Sequence, residues 1–161
     1  MDDENPNKNE TAILACGSFW NAQAYFDQIQ GVVATTVGYT GGRTINPTYE
    51  QVLSHLTGHA EAIKIEFNPN IIGYRQLLKK FFTMHDPTTR NRQGADIGEN
   101  YRSAIFYLTD DQETTAREVI GEIENNRTFN DPIVTEVAKA GEFWPAEEFH
   151  QKYLEKNPKK D

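Results

Sequence analysis

A run that reads as a strand gives way to one that reads as a helix at Gly17-Ser18-Phe19-Trp20. A side chain at such a junction stands beside the free N–H groups of a helix N-terminus, where the dipole favours an anion. That setting suits a nucleophile, and a thiolate above all, because it lowers a thiol pKa. The position is held by Ser18, and the only cysteine of the chain, Cys16, comes two residues earlier. A serine hydroxyl ionises far less readily than a thiol, and no neighbouring base is evident to activate it.

The second stretch of interest is Thr57-Gly58-His59-Ala60-Glu61. Taken alone, its residues have ordinary readings. Glu61 opens a strand, where a carboxylate is usually solvated. Tyr49 and Tyr101 suit half-buried packing, Phe19 and Trp20 suit a core, and Asp96 in a Gly-flanked loop suits a turn or a cap. His55 and His59 are four apart, as two metal ligands could be. Thr57-Gly58 breaks the helix between them and no third ligand is evident, so no metal is expected and His59 reads as structural.

The net charge of −8 and the lack of a dense Lys/Arg cluster argue against nucleic-acid binding, which needs a basic face. The Lys159-Lys160 pair reads as a solvated tail. No apolar run approaches the length of a membrane span. One cysteine cannot form an internal disulfide, which suits a reducing compartment such as the cytoplasm. Residues 1–10, acidic and polar, read as a disordered leader without signal-peptide character, and residues 11–161 as a single domain.

The elements that must position these residues follow from periodicity. Strands are predicted over Thr11–Ala15, Val32–Tyr39, Glu61–Phe67, Ser103–Leu108 and Ile133–Val137. Helices are predicted over Phe19–Ile29, Tyr49–Leu56, Ile72–Met84 and Asp110–Asn125. A long polar loop covers Asp86–Asn100, a length that usually marks function or disorder. The tail from Phe143 to Pro158 carries one helical stretch after Pro145. This order predicts an α/β (α+β) fold, a ferredoxin-like split βαβ sandwich with added helices and long loops.

Several motifs in order then carry a resemblance that spans residues 11 to 158. They are Gly17-Ser18-Phe19-Trp20, Val37-Gly38-Tyr39-Thr40-Gly41-Gly42, Asn46-Pro47-Thr48-Tyr49, Thr57-Gly58-His59-Ala60-Glu61 and His85-Asp86-Pro87-Thr88-Thr89. Asn91-Arg92-Gln93-Gly94, Asp96-Ile97-Gly98, Tyr101-Arg102-Ser103-Ala104-Ile105, Phe143-Trp144-Pro145-Ala146-Glu147 and His150-Gln151 complete them. Together they resemble the peptide methionine sulfoxide reductase A family. The resemblance implies reduction of the S epimer of methionine sulfoxide, free or in proteins, through a cysteine sulfenic acid and without metal or organic cofactor. It implies that Phe19 and Trp20 cradle the S-methyl group and that Glu61 protonates the sulfoxide oxygen. Tyr49 and Tyr101 would hydrogen-bond that oxygen, and Asp96 would add a further polar group.

Three departures from the family pattern matter. Ser18 stands where the family has its nucleophilic cysteine, which implies a chain that binds sulfoxide without turning it over. It reads as a Cys→Ser replacement of cysteine or selenocysteine, or as a natural non-catalytic binder of oxidised methionine. Cys16 stands where a small residue is expected. It is either an inert buried thiol or a resolving thiol for a nucleophile at position 18, through a strained and easily reduced bridge. No cysteine follows residue 16, so recycling would fall to Cys16 or to an external reductant, a small thiol, glutaredoxin or thioredoxin.

Overall fold

A computed structural model describes residues 8–158. The leader expected over 1–10 and the Lys159-Lys160 pair therefore lie largely outside the described residues. The first strand, β1 (Glu10–Cys16), begins one residue inside the expected leader, because Glu10 is already in register with Phe67. It is followed by α1 (Phe19–Phe26), β2 (Val32–Thr40), α2 (Tyr49–Leu53), β3 (Ala60–Phe67) and α3 (Tyr74–Thr83). A small hairpin, β4 (Arg92–Gln93) and β5 (Asp96–Ile97), precedes β6 (Ser103–Tyr107), α4 (Asp110–Asn125) and β7 (Glu136–Lys139). The tail adds β8 (Trp144–Pro145) and α5 (Tyr153–Lys156).

The main sheet has the order β7-β6-β1-β3-β2-β8. Its four inner strands, taken in chain order, run fourth, first, third, second, all antiparallel. That is the split βαβ arrangement expected from the sequence. β7 extends one edge in parallel with β6, and β8 extends the other against β2.

One face of the sheet carries the main core. Leu14, Ile63, Ile65 and Phe67 pack there with Phe19 and Phe26 of α1, Leu77, Leu78 and Phe81 of α3, and Ala116 and Val119 of α4. The other face holds smaller residues, Ile13, Ala15, Ala60, Ala62 and Ala104, against Phe106. Because both faces are covered near the start of β3, residues 60–63 are all buried and alternation begins only at Lys64. Glu61 is in phase with Ile63, Ile65 and Phe67, and this parity draws it inward.

Several predicted boundaries shift for local reasons. The helix expected to run to Ile29 ends at Phe26, where Gln28 and Ile29 donate to carbonyls only three residues back. The helix expected to reach Leu56 ends at Leu53, because His55 is left-handed with φ 66°. The strand expected over Ile133–Val137 lies over Glu136–Lys139. Ile133 N–H donates to Glu124 and Val134 N–H to the Pro87 carbonyl, so pairing with β6 starts later. The long loop contains the β4–β5 hairpin and a 3₁₀ turn over Glu99–Tyr101. After Pro145 there are two short pieces, a 3₁₀ turn at Glu148–His150 and then α5.

Candidate active site

Gly17, with φ 93°, makes the turn from β1 into α1 in a conformation that other residues rarely adopt. Ser18 then caps α1: its extended backbone (φ −60°, ψ 126°) lets Oγ accept from Trp20 N–H at 3.3 Å. The next free donor of the helix, Phe19 N–H, donates to Glu61 Oε1 at 3.2 Å. Ser18 and Glu61 therefore meet at the start of one helix, drawn from β1–α1 and β3.

They line a cavity of about 310 Å³ with Trp20, Asn21, Tyr49, Asp96, Tyr101 and Leu154. A wider groove of about 750 Å³ between α1 and α3 has no carboxylate in its lining. The smaller cavity is the one where an acid and hydroxyl donors converge.

Glu61 is only 2% exposed. Burial pushes its carboxyl up from the ordinary value to about 7, against the opposing pull of the Phe19 N–H and the Asn100 amide, with Asp96 adding to the rise. Near neutral pH it is therefore poised to hold or release a proton. Burial, followed by the neighbouring Glu61, raises Tyr49 to about 12 and also raises Tyr101. Both phenols are neutral donors at physiological pH.

The aromatic wall is built by the chain's tail. Trp20 stacks on Tyr153 with ring centroids 3.9 Å apart, and its Nε1–H donates to His150 Nδ1 at 3.0 Å. Phe19 differs from expectation. It is 1% exposed and absent from the cavity lining, and it packs behind the site against Tyr39, Tyr49 and His150. A helix turns neighbouring side chains about 100° apart, so when Trp20 faces the cavity Phe19 faces the core. Asp96, at the exposed start of β5, does reach the lining.

Cys16 ends β1 in the main core, 5% exposed, and burial pushes its thiol up to about 12. It does not line the cavity. His59 spends both ring nitrogens within the fold: Nδ1 accepts from Gly42 N–H at 2.9 Å, and Nε2 donates to the Thr44 carbonyl at 2.7 Å. Gly42 is needed there, since a Cβ would lie 2.3 Å from the His59 backbone nitrogen. Among the described residues no group of His, Cys, Asp and Glu is arranged to hold a metal.

Sequence reasoning passed over Asn100, Asn21, Leu154 and the structural part played by His150. Asn100 is fully buried and approaches Glu61 Oε2 at 3.5 Å. Its adjacency to Tyr101 was the only hint. Leu154 and His150 reach the site through contacts across most of the chain, for which the sequence carries no local signal.

The fold and the cavity define a class: an α/β protein with a serine at a helix N-terminus, a buried acid and two neutral phenols around one cavity. The chain belongs to the peptide methionine sulfoxide reductase family, whose profile matches residues 10–161. It is 49% identical over 154 residues to "Peptide methionine sulfoxide reductase MsrA" of Methanothermobacter thermautotrophicus, covering 96% of this chain and 91% of that protein. Among solved structures it is similar to reduced Mxr1 from Saccharomyces cerevisiae, at 33% identity with a TM-score of 0.90, covering 98% of this chain and 90% of that one. Mxr1 in complex with Trx2 is also similar, at 26% identity with a TM-score of 0.66, covering 92% and 87%.

Proposed function

We propose that the cavity binds the S epimer of methionine sulfoxide, and that the site is that of a thiol-dependent reductase lacking only its thiol. The observation that carries this reading is Glu61, a buried acid with a pKa near 7, facing a cavity shared with two neutral phenols. A sulfoxide sulfur becomes electrophilic when its oxygen is protonated or hydrogen-bonded. Glu61 supplies the proton, Tyr49 and Tyr101 hold the oxygen, and Asp96 adds a polar group at the rim. Trp20 covers the methyl group and orients the sulfur, while Phe19 packs behind Tyr49 and His150.

With a cysteine at position 18 the step balances. The thiolate sulfur bonds to the sulfoxide sulfur as Glu61 protonates the oxygen; the hydroxyl then shifts to the cysteine sulfur, breaking the S–O bond and the new S–S bond and leaving a cysteine sulfenic acid. Methionine leaves. Two external thiols then return the cysteine to its thiol, giving a disulfide and water. Ser18 cannot follow this route, because its oxygen cannot be oxidised to an equivalent species. The chain with Ser18 is thus a binder, arising by replacement of cysteine or selenocysteine, or as a natural non-catalytic reader of oxidised methionine. The native codon at position 18 separates these origins.

The reductant for a cysteine-bearing form is a small thiol, glutaredoxin or thioredoxin. The similarity to Mxr1, solved with Trx2, favours thioredoxin. Burial of Cys16 and its raised pKa favour the inert reading of this residue over the resolving one. A thiol cycle suits a reducing compartment, the cytoplasm, and among the described residues no helix is long and apolar enough to cross a membrane.

The reading predicts that this chain binds a peptide containing S-methionine sulfoxide, with quenching or shift of Trp20 fluorescence, and prefers it to the R epimer and to methionine. No binding by folded protein would contradict it.

A further inference from the structure

We infer that Glu147 is a positioning residue for Tyr49: its carboxylate ties the first residue of α2 to the buried Tyr39 and so fixes the phenol that faces the sulfoxide oxygen. The inference rests on the proposed role of Tyr49.

α2 has five residues, Tyr49–Leu53, too few to be stable by their own hydrogen bonds. Its capping box is closed on itself. Thr48 Oγ1 accepts from Gln51 N–H at 3.2 Å, and Gln51 Oε1 accepts from Thr48 N–H at 2.9 Å. The box leaves Tyr49 N–H without a partner inside the helix. Glu147 Oε2 accepts from it at 3.0 Å, and Oε1 accepts from Tyr39 Oη–H at 2.8 Å. Tyr39 is fully buried on β2, paired with Glu61 of β3 on one side and Trp144 of β8 on the other. One carboxylate thus joins a rigid strand to the residue of α2 that lines the cavity.

The tail does not need this carboxylate to stay in place. β8 pairs with Gly38 and Tyr39 of β2, and Ala146 N–H donates to the Val37 carbonyl at 2.9 Å. The Gln151 side chain accepts from Val37 N–H at 3.0 Å and donates to its carbonyl at 2.9 Å. Lys152 N–H donates to Gln23 and its ammonium to Asp27, both at 2.6 Å. What Glu147 alone contributes is the link between Tyr39 and Tyr49. Burial raises its carboxyl, but hydrogen bonds from Tyr49 and Tyr39 and the nearby His150 outweigh that and hold it below its ordinary value. The acceptor is therefore charged at neutral pH, as suits the start of a helix.

A phenol that hydrogen-bonds the sulfoxide oxygen matters most as charge builds on that oxygen. Misplacing it should lower the rate of the chemical step more than it weakens binding. The test uses the Ser18→Cys protein, an S-methionine sulfoxide peptide and single-turnover kinetics. Glu147→Ala should lower the maximal rate about tenfold, the scale of one lost hydrogen bond, while half-saturation shifts less than about twofold. Glu147→Gln should restore most of the rate, because its carbonyl can accept from Tyr49 N–H while its amide donates to the Tyr39 oxygen. In a Tyr49→Phe background Glu147→Ala should add less than about a further twofold, since paired effects collapse when one residue acts through the other. Should the alanine variant not fold, Glu147→Asp, too short to span both donors, enters the same cycle. An equal rate loss with and without the Tyr49 hydroxyl would overturn the inference, as would an unchanged rate with only a lower melting temperature. An inactive Ser18→Cys parent would overturn both the inference and the reading of the site.

Discussion

Two titratable groups, Glu61 buried and His85 half-buried, flank the end of β1, and removal from water serves opposite purposes in them. Glu61 faces a cavity. Its Oε1 accepts one N–H at 3.2 Å, its Oε2 sees only a long contact at 3.5 Å, and burial leaves it near pKa 7. His85 does not line that cavity, and burial lowers it to about 4, against weaker opposing pulls from the Phe81 carbonyl and Asp86. It is neutral, and both nitrogens are used. Nδ1 donates to the Phe81 carbonyl at 2.7 Å, and Nε2 accepts from Ser103 Oγ at 2.8 Å. The same hydroxyl is 2.8 Å from Thr135 Oγ1, so the node staples α3 to β6 and the segment before β7. A displaced pKa alone does not mark a functional group. What separates the two is spare hydrogen-bonding capacity aimed into a space that a ligand could fill.

The comparison breaks most visibly under Glu61→Gln in the Ser18→Cys protein. Losing the proposed general acid should cost roughly 10²–10⁴-fold in sulfoxide reduction, read by single-turnover kinetics. His85→Ala in the same background should leave that rate within about twofold, as expected of a residue outside the chemistry. If the histidine substitution proved the more damaging to the rate, the assignment would be reversed.

The pH dependence of stability sharpens the contrast, because the two groups have opposite signs. For Glu61 the folded pKa is the higher one, so between pH 4.5 and about 7 the native state holds the extra proton. Stability falls as pH rises, by about 3 kcal/mol in all. For His85 the folded pKa is the lower one, so between about pH 4 and 6.5 the unfolded state holds the extra proton. Stability rises with pH, again by about 3 kcal/mol. The two largely cancel in the parent chain. Urea denaturation of Glu61→Gln from pH 4 to 7 should therefore show the histidine rise uncovered, and His85→Ala the glutamate fall. Parallel profiles for both variants would refute the opposed signs.

The smallest effect is on stability at one pH. At pH 7 His85→Ala should lower stability by about 2 kcal/mol, because it removes both ring hydrogen bonds and leaves the Phe81 carbonyl only the long bond from Met84 N–H, at 3.4 Å. Sulfoxide binding to the folded chain should be unchanged, as checked by the fluorescence titration.

Much of this arrangement was legible in the sequence where the signal is local. The α4 boundaries, Asp110–Asn125, follow from helical spacing, and the structure has the same ends, with Thr109 as the cap and an acidic first turn. The inner strand order follows from the alternation of strands and helices. Glu61 carried a signal that could have been weighted more heavily. A carboxylate in phase with Ile63, Ile65 and Phe67 must either be buried or break the pattern. By contrast, the hydrogen bond from Trp20 to His150 spans 130 residues, and that from Tyr49 to Glu147 spans 98. Such pairings are set by how the tail lies along β2, and no local periodicity encodes them. Phe19 and Trp20 could not be told apart by type. Only the seating of α1 decides which ring lines the cavity.

The central claim is that the site lacks only its thiol, and one paired assay tests it most directly. This chain and its Ser18→Cys variant would each be given an S-methionine sulfoxide peptide with dithiothreitol, and methionine release measured. The account predicts background release from the Ser18 chain and catalytic turnover from the variant, with a sulfenic acid at position 18 when the thiol is withheld. A folded Ser18→Cys protein that binds the peptide but never releases methionine would contradict it, and leave a non-catalytic reader of oxidised methionine as the better account.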